Sequence, residues 1–309
     1  MHTDFLTIED VQLILSNCKE KITDLEYLDR GGQKLVFKCS INGIPYALKF
    51  CDVTEAERID PLYPNQESDE SAGANSIILS RAQREIDIMD RVDSPTLVKL
   101  GPLRLNLVDY NTKKILYFSE EFIPGKDLYS ILRENKLSYT QTIDLAIDIS
   151  TAIHHLWEIN MVHRDIKPKN IMLKDNGQFV LLDTGIAFDI QGETLTAAFH
   201  LVGTKIYMSP EQLSGYRREL DFRSDLFLLG IVMYEAVTGN HPFYQPGFHT
   251  YQIINNITTS ELIPPSHFIK DFPKKLERII MRLLAKEPHL RYKSCDQLLK
   301  QLNGLKETL

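Results

Sequence analysis

The chain lacks the features that mark several large classes of protein. Its four cysteines, Cys18, Cys39, Cys51 and Cys295, show neither C-x-x-C spacing nor paired histidines, which argues against a zinc site and against a disulfide framework. The longest uncharged apolar run, nine residues at 226–234, is much shorter than the roughly 18 residues that a membrane-spanning helix needs. The N-terminus has no basic start followed by an apolar run, so no signal peptide is predicted. We therefore expect a cytoplasmic protein with no membrane partner.

The chain also lacks an excess of positive charge. Its formal net charge is −7, and the segment from Asp52 to Glu70 holds seven acidic residues against a single base, Arg58. The remainder is nearly neutral, so we expect no face that binds nucleic acid. Because the acidic segment contains two prolines and has no periodicity, residues 52–73 are predicted to be an insertion outside the core.

The patterns at the start of the chain predict a short helix followed by several strands. Thr7, followed by acidic residues and by apolar residues at helical spacing, predicts a helix within an N-terminal extension at 1–22. The sequence pattern of residues 25–50 predicts three strands. The turns between them are predicted at Gly31-Gly32 and at Asn42-Gly43, and the second of these is a strong hairpin signal.

The patterns further along the chain predict two unlike lobes. Two more strands are expected at residues 96–105 and 114–122, and two helices are expected at residues 75–92 and 139–160. After Glu211 most of the chain is predicted to be helical. We therefore expect an α+β architecture, with a small antiparallel sheet and one main helix at 23–121 and a mostly helical lobe at 122–309. The cleft between two such lobes is a favoured place for a ligand.

The loop MVHRDIKPKN, residues 161–170, contains the first candidate catalytic residues. Asp165 can orient a hydroxyl and accept its proton, Lys167 can neutralise charge on a phosphoryl group, and Asn170 can ligate Mg²⁺. Asp183 adds a carboxylate ligand at the end of an apolar stretch, before a turn at Gly185. A charged loop is more often a solvated surface loop, but this one lies between two apolar segments.

Three motifs in the chain occur in the order found in one large family. HRDIKPKN, Asp183 with Gly185, and SPE at 209–211 resemble the catalytic loop, metal-binding turn and activation-segment end of eukaryotic-like protein kinases. The resemblance extends from about residue 24 to about residue 300 and implies a two-lobed protein-kinase-like fold. Lys167 and Gly203-Thr204 resemble the serine/threonine type. With its short GGQK-type loop the chain looks more like kinases of bacteria than of animals, and we expect a standalone kinase domain of the bacterial type.

The resemblance implies a role in nucleotide binding for several residues. Lys49 matches the strand lysine that holds the inner phosphates, and Glu85 matches the helix glutamate that pairs with it. The residues expected to enclose the adenine are Val36, Ala47 and Met172. The backbone positions expected at its polar edge and in the phosphate loop are Glu121, Ile123 and Gly31. The implied cofactors are ATP and Mg²⁺, with Asn170 and Asp183 as metal ligands. Taken singly, Lys49 and Glu85 also fit solvated surface residues.

Two positions depart from the family pattern. Aligned on Val36, the three loop glycines of the family correspond to Asp29, Gly31 and Lys34, so one glycine remains for close approach of the backbone to phosphates. Lys34 either replaces some of that contact by charge or faces solvent. Thr184 stands where the family has a phenylalanine beneath the regulatory helix. This departure therefore bears on how the kinase is regulated more than on the phosphoryl-transfer reaction.

The resemblance also implies structural and regulatory roles. Asp225 would hold the backbone of the catalytic loop, and Glu211 would form a buried ion pair with Arg291. Arg164 would receive a phosphate from the segment that follows Asp183; alternatively, it is a structural arginine bonded to backbone carbonyls. The candidate phosphorylation sites are Thr194 and Thr196.

The expected function is that of an active protein serine/threonine kinase. It would use ATP and Mg²⁺ to phosphorylate a protein hydroxyl, and it would autophosphorylate through transient self-association. The altered glycine loop and Thr184 leave a pseudokinase, a nucleotide-binding interaction module, as the alternative. A small-molecule phosphotransferase of related fold is disfavoured by SPE at 209–211 and by Lys167 with Thr204, since a small substrate needs no peptide platform.

The acidic insertion gives a first testable prediction. Replacing residues 55–71 with a short Gly/Ser linker should leave the melting temperature within a few degrees of the original, because a segment of this composition buries little apolar surface. Thermal denaturation of both proteins measures this. A collapse of the folded state would show that the segment packs on the core, and loss of one substrate at unchanged stability would identify a docking element.

Overall fold

The structure is a computed structural model, and it describes residues 6–31, 34–54, 86, 89–183, 206–214 and 220–308. Contacts divide the chain into two compact units. The first contains the described residues up to 93 together with 98–122, and the second contains 94–97 and the described residues from 123 onward. Most of the predicted insertion at 52–73 lies outside the described residues. Of the predicted helix at 75–92, the described residues 86 and 89–91 are helical.

The first unit is built on one antiparallel sheet. Its elements are α1 (Ile8–Leu15), β1 (Ile22–Gly31), β2 (Lys34–Ile41), β3 (Ile44–Asp52), β4 (Asn106–Tyr110) and β5 (Lys113–Glu121). The strands lie in the order β1-β2-β3-β5-β4. Between β2 and β3, Ile41 pairs with Ile44, and Asn42 and Gly43 have φ angles of 52° and 85°. Positive φ at both central residues is the conformation that Asn-Gly favours in two-residue hairpins, so the predicted turn is confirmed.

One face of this sheet packs against the N-terminal helix. The apolar core between them includes Val11, Ile14 and Leu15 of α1, Leu35 and Phe37 of β2, Leu48 and Phe50 of β3, and Ile115 and Tyr117 of β5. The Thr7 hydroxyl accepts a hydrogen bond from the N–H of Asp10, and the Asp10 carboxylate accepts one from the N–H of Thr7. The Tyr110 hydroxyl of β4 also donates to Asp10, at 2.6 Å. The predicted helix is confirmed, and it belongs to the core of the first unit.

The segment at 96–105 does not form the strand that its apolar pattern predicts. Leu97 and Leu100 make only isolated bridges, and β4 begins after the segment ends. Gly101 and Pro102 interrupt it. Pro102 has no N–H to donate to a ladder, and a side chain at Gly101 would overlap a neighbouring hydroxyl of β5. The strand prediction was therefore wrong for these residues.

The second unit is mostly helical, as predicted. Its helices are α2 (Leu128–Glu134), α3 (Tyr139–Glu158), α4 (Pro210–Leu213), α5 (Phe222–Thr238), α6 (Thr250–Thr258), α7 (Lys274–Leu283) and α8 (Cys295–Lys306). Three short strands, β6 (Lys126–Asp127), β7 (Ile171–Leu173) and β8 (Phe179–Leu181), form a second antiparallel sheet in that order. The helix predicted at 139–160 is confirmed by α3, which begins with a capping box between Ser138 and Gln141.

The helix α5 forms the centre of the second unit. All of its residues except Arg223 and Glu235 are buried. Burial on every side explains the apolar run at 226–234. Across the described part of the chain, no helix combines the length and apolar character required for a membrane span. Near the start of α5, the ring centroid of Trp157 on α3 lies 5.3 Å from the ring centroid of Phe222.

A buried ion pair joins α4 to the C-terminal part of the second unit. The Arg291 guanidinium donates to both carboxylate oxygens of Glu211, at 2.6 and 3.0 Å. Its three remaining N–H groups donate to the backbone carbonyls of Arg223, Ala285 and Lys286. Burial alone would raise the pKa of Glu211, but the bonds and charge of Arg291 outweigh it, so the pKa is lowered. The ion pair that the resemblance implied is present.

The packing of α1 can be tested with two matched substitutions. Leu15→Ala should lower the free energy of unfolding by about 2 to 5 kcal/mol, because it removes a buried side chain that is only 7% exposed. Leu13→Ala makes the same change on the same helix at a site that is 61% exposed, and should have an effect below about 0.5 kcal/mol. Denaturant unfolding measures both. Equal effects would contradict the packing of α1 on the sheet.

Candidate functional site

The candidate catalytic loop, residues 161–170, is held by a buried aspartate of α5. The Asp225 carboxylate accepts two backbone hydrogen bonds of 2.7 Å each, from the N–H of His163 and from that of Arg164. Burial raises the pKa of Asp225 to about 7, while the two N–H groups act in the opposite direction. Arg164 has a φ of 69°, which is unfavourable for a residue with a Cβ, and the bond to Asp225 stabilises it. The contact that the resemblance implied for Asp225 is present.

The side chains of this loop form a network around Asp165. The Lys167 ammonium donates to both carboxylate oxygens of Asp165, at 2.8 Å each. The Asn170 amide nitrogen donates to Asp165 Oδ2 at 2.8 Å and to the Asp165 backbone carbonyl at 2.9 Å. Asn170 ends a short 3-10 turn at 168–170, directly before β7. The structure thus brings three of the predicted residues together, and the side chain of Asp165 remains 14% exposed.

Asp183 is positioned through the residue before it. The N–H of Leu182 donates to the Asn170 carbonyl at 2.8 Å, and the Leu182 carbonyl lies 3.1 Å from His163 Nε2. His163 Nδ1 accepts a hydrogen bond of 3.3 Å from the N–H of Asp165, so Nε2 is the atom that donates to Leu182. Burial lowers the pKa of His163, which favours the neutral ring. The second predicted metal ligand therefore follows a residue whose two backbone groups are bonded to the catalytic loop.

Three of the nucleotide-binding residues predicted in the first unit share one face of its sheet. Val36 pairs with Lys49 across β2 and β3, and Lys49 pairs with Phe118 across β3 and β5. Because side chains alternate along a strand, Val36, Ala47 and Lys49 lie on the face opposite to the one that packs against α1. Val36 and Ala47 are partly exposed, whereas Lys49 is buried.

The same face carries a buried carboxylate that the sequence analysis missed. Glu120 of β5 forms an ion pair with Lys49. The sequence shows two adjacent acids, Glu120 and Glu121, with the same local chemistry. The strand register distinguishes them, because Glu120 pairs with Ala47 and therefore lies on the side of Lys49. The predicted partner of Lys49, Glu85, lies outside the described residues.

The other predicted nucleotide-binding positions lie at strand ends and in the second unit. Gly31 ends β1, where it pairs with Lys34. Glu121 ends β5. In the second unit, Ile123 is buried and Met172, on β7, is partly exposed. Several further positions named from the sequence lie outside the described residues: Thr184, Gly185, Thr194, Thr196, Gly203 and Thr204.

The SPE sequence is bonded to the catalytic loop through Gln212. Ser209 begins α4 with a capping box, in which its hydroxyl accepts from the N–H of Gln212 and the Gln212 side chain accepts from the N–H of Ser209. The Gln212 amide nitrogen donates to the Arg164 carbonyl at 2.9 Å. The side chain of Arg164 is exposed. The backbone of Arg164 is therefore fixed from two sides, by α4 and by α5.

Comparison with known proteins identifies the family. The protein kinase domain matches residues 25–302 of this chain. A probable serine/threonine-protein kinase of Clostridium acetobutylicum is 35% identical over 191 residues, which are 62% of this chain and 28% of the relative. Another, from Clostridium perfringens, is 30% identical over 235 residues, 75% of this chain and 33% of the relative. The probable serine/threonine-protein kinase PknB of Bifidobacterium longum is 30% identical over 242 residues, 74% of this chain and 34% of the relative.

The chain therefore belongs to the protein kinase domain family. Its relatives confirm the resemblance to eukaryotic-like kinases of the serine/threonine type. The predicted fold class is confirmed as well, with a five-stranded antiparallel sheet in one unit and a mostly helical second unit. Proteins of this family use ATP, typically with Mg²⁺. The chain spans about a third of the length of these curated relatives.

The two hydrogen bonds from the catalytic loop to Asp225 can be tested with the substitution Asp225→Asn. An amide offers one acceptor oxygen and not two, so one of the two backbone N–H groups should lose its partner, at a cost of about 1 to 3 kcal/mol. Hydrogen exchange should then be faster for the amides of His163 and Arg164. The exposed Asp271→Asn serves as the control and should change neither stability nor exchange. Unchanged protection of residues 161–170 in Asp225→Asn would contradict this role.

Proposed function

We propose that the chain is an active protein serine/threonine kinase, which transfers the γ-phosphoryl group of ATP to a serine or threonine hydroxyl of a protein. The observation that supports this best is the hydrogen-bonded network of Asp165, Lys167 and Asn170. Phosphoryl transfer depends on positioning and on neutralisation of charge more than on covalent participation by the protein. These three side chains supply both within a single loop.

Asp165 acts on the acceptor hydroxyl. Its partly exposed carboxylate accepts a hydrogen bond from the hydroxyl, orients the attacking oxygen and takes up its proton. Lys167 contacts both carboxylate oxygens and so fixes their direction. Its ammonium also places a positive charge beside the group in transfer, where negative charge develops.

Asn170 and Asp183 fit a divalent cation. The amide nitrogen of Asn170 is bonded to Asp165, so the amide oxygen is the atom left as a ligand, and Asp183 adds carboxylate oxygens. Oxygen ligands of this kind are those that Mg²⁺ takes in proteins. When bound, Mg²⁺ neutralises charge on the phosphate oxygens.

Several side chains bind the nucleotide in this proposal. Lys49 holds the inner phosphates, and the partly exposed Val36 and Ala47 on the same sheet face contact the adenine. The remaining contributors are the side chain of Met172 and the backbone of Gly31, Glu121 and Ile123. The pairing of Val36 with Lys49 across two strands supports a common surface for base and phosphates, because the two side chains are nearest neighbours.

Regulation in this proposal depends on Arg164. Its guanidinium is exposed while its backbone is fixed, so it can receive a phosphate without disturbing the loop. Autophosphorylation of Thr194 or Thr196 during transient self-association would supply that phosphate and order the peptide platform. The pseudokinase alternative predicts nucleotide binding without transfer.

The test of the proposed function is a pair of aspartate substitutions. Asp165→Asn should lower the transfer rate by about 10²- to 10⁴-fold with little change in ATP affinity, because the carboxylate acts on the hydroxyl. Asp183→Asn should also weaken Mg²⁺-dependent ATP binding, because it removes a metal ligand. Each protein is incubated with labelled ATP and Mg²⁺, with and without a cell lysate, and mapping of the phosphorylated sites then measures transfer. Calorimetry measures ATP affinity. Asp175→Asn, an exposed carboxylate between β7 and β8, is the matched control.

The outcomes separate the competing functions. Normal turnover in Asp165→Asn would remove that residue from the catalytic role. ATP binding without any transfer by the unmodified protein would favour a pseudokinase. Phosphate at Thr194 or Thr196 that is absent from the Asp165→Asn protein would support autophosphorylation.

A further inference from the structure

Lys49 and Glu120 form a buried ion pair inside one sheet. Lys49 Nζ lies 2.6 Å from Glu120 Oε2, and the two side chains are only 7% and 3% exposed. Their strands are neighbours in the sheet, with Lys49 opposite Phe118 and Ala47 opposite Glu120. The two charged residues are therefore diagonal neighbours on one face, a separation that long side chains bridge. The register of β3 and β5 is sufficient to bring them together.

The surroundings of Lys49 make an acidic neighbour important. A buried ammonium remains stable in its charged form only when a counter-charge and hydrogen bonds replace water. The aromatic ring of Phe118, on the adjacent strand, lies 6.0 Å from the ammonium. The titratable side chains next to Lys49 on this face are Lys34 and Lys38 of β2, Cys51 of β3 and Glu120 of β5. Lys34 and Lys38 are further cations, and their charge disfavours the charged form of Lys49. Among these described neighbours, Glu120 is the carboxylate that favours it.

We infer that Glu120 is a positioning residue for Lys49: it holds the ammonium, in its charged form, on the sheet face that carries Val36 and Ala47. The inference rests on the proposed function, in which Lys49 binds the inner phosphates of ATP. The family resemblance assigns the positioning of this lysine to a helix residue, Glu85. Glu120 lies on the sheet itself, so its contact orients Lys49 directly relative to β2 and β3. It acts through Lys49 and not on the phosphates.

The substitution Glu120→Gln isolates the charge of this residue. It keeps the size of the side chain and an oxygen that accepts a hydrogen bond, but it removes the counter-charge. Lys49 should then lose its proton at a lower pH, because burial and the nearby Lys34 and Lys38 favour the neutral amine. Since a neutral amine attracts phosphate less than an ammonium does, ATP affinity should decrease as the pH rises in the variant, whereas the affinity of the unmodified protein should decrease much less over the same range.

Two measurements follow Lys49 from about pH 7, where an unperturbed lysine is charged, to about pH 10.5, which is close to its ordinary pKa. The first is the acylation of Lys49 by an amine-specific reagent, quantified by peptide mass spectrometry against the exposed Lys270. In Glu120→Gln, the pH midpoint of Lys49 labelling should fall by about one unit or more, which gives about tenfold more neutral amine at a given pH. The midpoint reports charge, whereas a change in access alone would alter only the rate.

The second measurement is the Kd for ATP by calorimetry at each pH. It should rise with pH in Glu120→Gln, by about tenfold at one pH unit above the labelling midpoint of that variant, and much less in the unmodified protein at the same pH, in line with the loss of the ammonium. Asp109→Asn is the matched control, since Asp109 is an exposed carboxylate of the same sheet on β4. It should change neither the labelling midpoint nor the Kd.

A second set of variants keeps the inference testable if Glu120→Gln does not fold. Lys49→Met and Glu120→Met each leave one buried charge without this partner, whereas the double variant removes both charges. The double variant should therefore melt at a higher temperature than either single variant. A double variant that loses as much stability as the two single variants combined would show no coupling and would overturn the inference.

Labelling and melting need no bound nucleotide, so they separate the inference from the proposed function. An unchanged labelling midpoint in Glu120→Gln overturns the positioning role even if the protein transfers phosphate. A lowered midpoint together with a pH-dependent Kd supports it. If the unmodified protein binds no ATP at all, the proposed function fails, and the role of Glu120 in nucleotide binding fails with it.

Discussion

Two hydrogen bonds from the catalytic loop to Asp225 fix the candidate site of the second unit. Asp225 lies on α5, whose side chains are buried on almost every side, so its carboxylate can move only with the core. The N–H groups of His163 and Arg164 are bound to that carboxylate. Asp165 follows directly in the chain, and Asn170 is bonded to Asp165 in turn. The position of the predicted catalytic residues therefore depends on the packing of one helix that contributes no catalytic group itself.

Much of the architecture follows from signals that are local in the sequence. Thr7 and the acidic residues after it predict a helix start where Thr7 and Asp10 form a capping box, and apolar residues at helical spacing predict the helix whose N-cap is Ser138. Asn42-Gly43 forms the hairpin that its backbone preference requires. In each case the residues that determine the structure lie within a few positions of one another, so no knowledge of the rest of the fold is needed.

The strand prediction at 96–105 overlooked a local signal, whereas the parts of the site that a single sequence does not specify depend on contacts between distant parts of the chain. The segment at 96–105 has the apolar residues of a strand, but the proline within it has no N–H for a ladder. Glu120 and Glu121 are indistinguishable as neighbours in the sequence, and only the pairing of β5 with β3 assigns Glu120 to the side of Lys49. The contact of Asp225 with a loop 61 residues away along the chain was expected only because the chain resembles a known family. Long-range pairing is thus the part of the site that a single sequence does not specify.

Trp157 is the single tryptophan of the chain. Its indole ring lies against Phe222 in the first turn of α5, three residues before Asp225. Indole emission depends on the polarity and packing around the ring, and Trp157 is 36% exposed to solvent. The intrinsic fluorescence of tryptophan in this protein therefore has one source, located beside the end of the helix that holds the catalytic loop. Its wavelength and intensity are an optical signal of the α3–α5 junction that requires no added label.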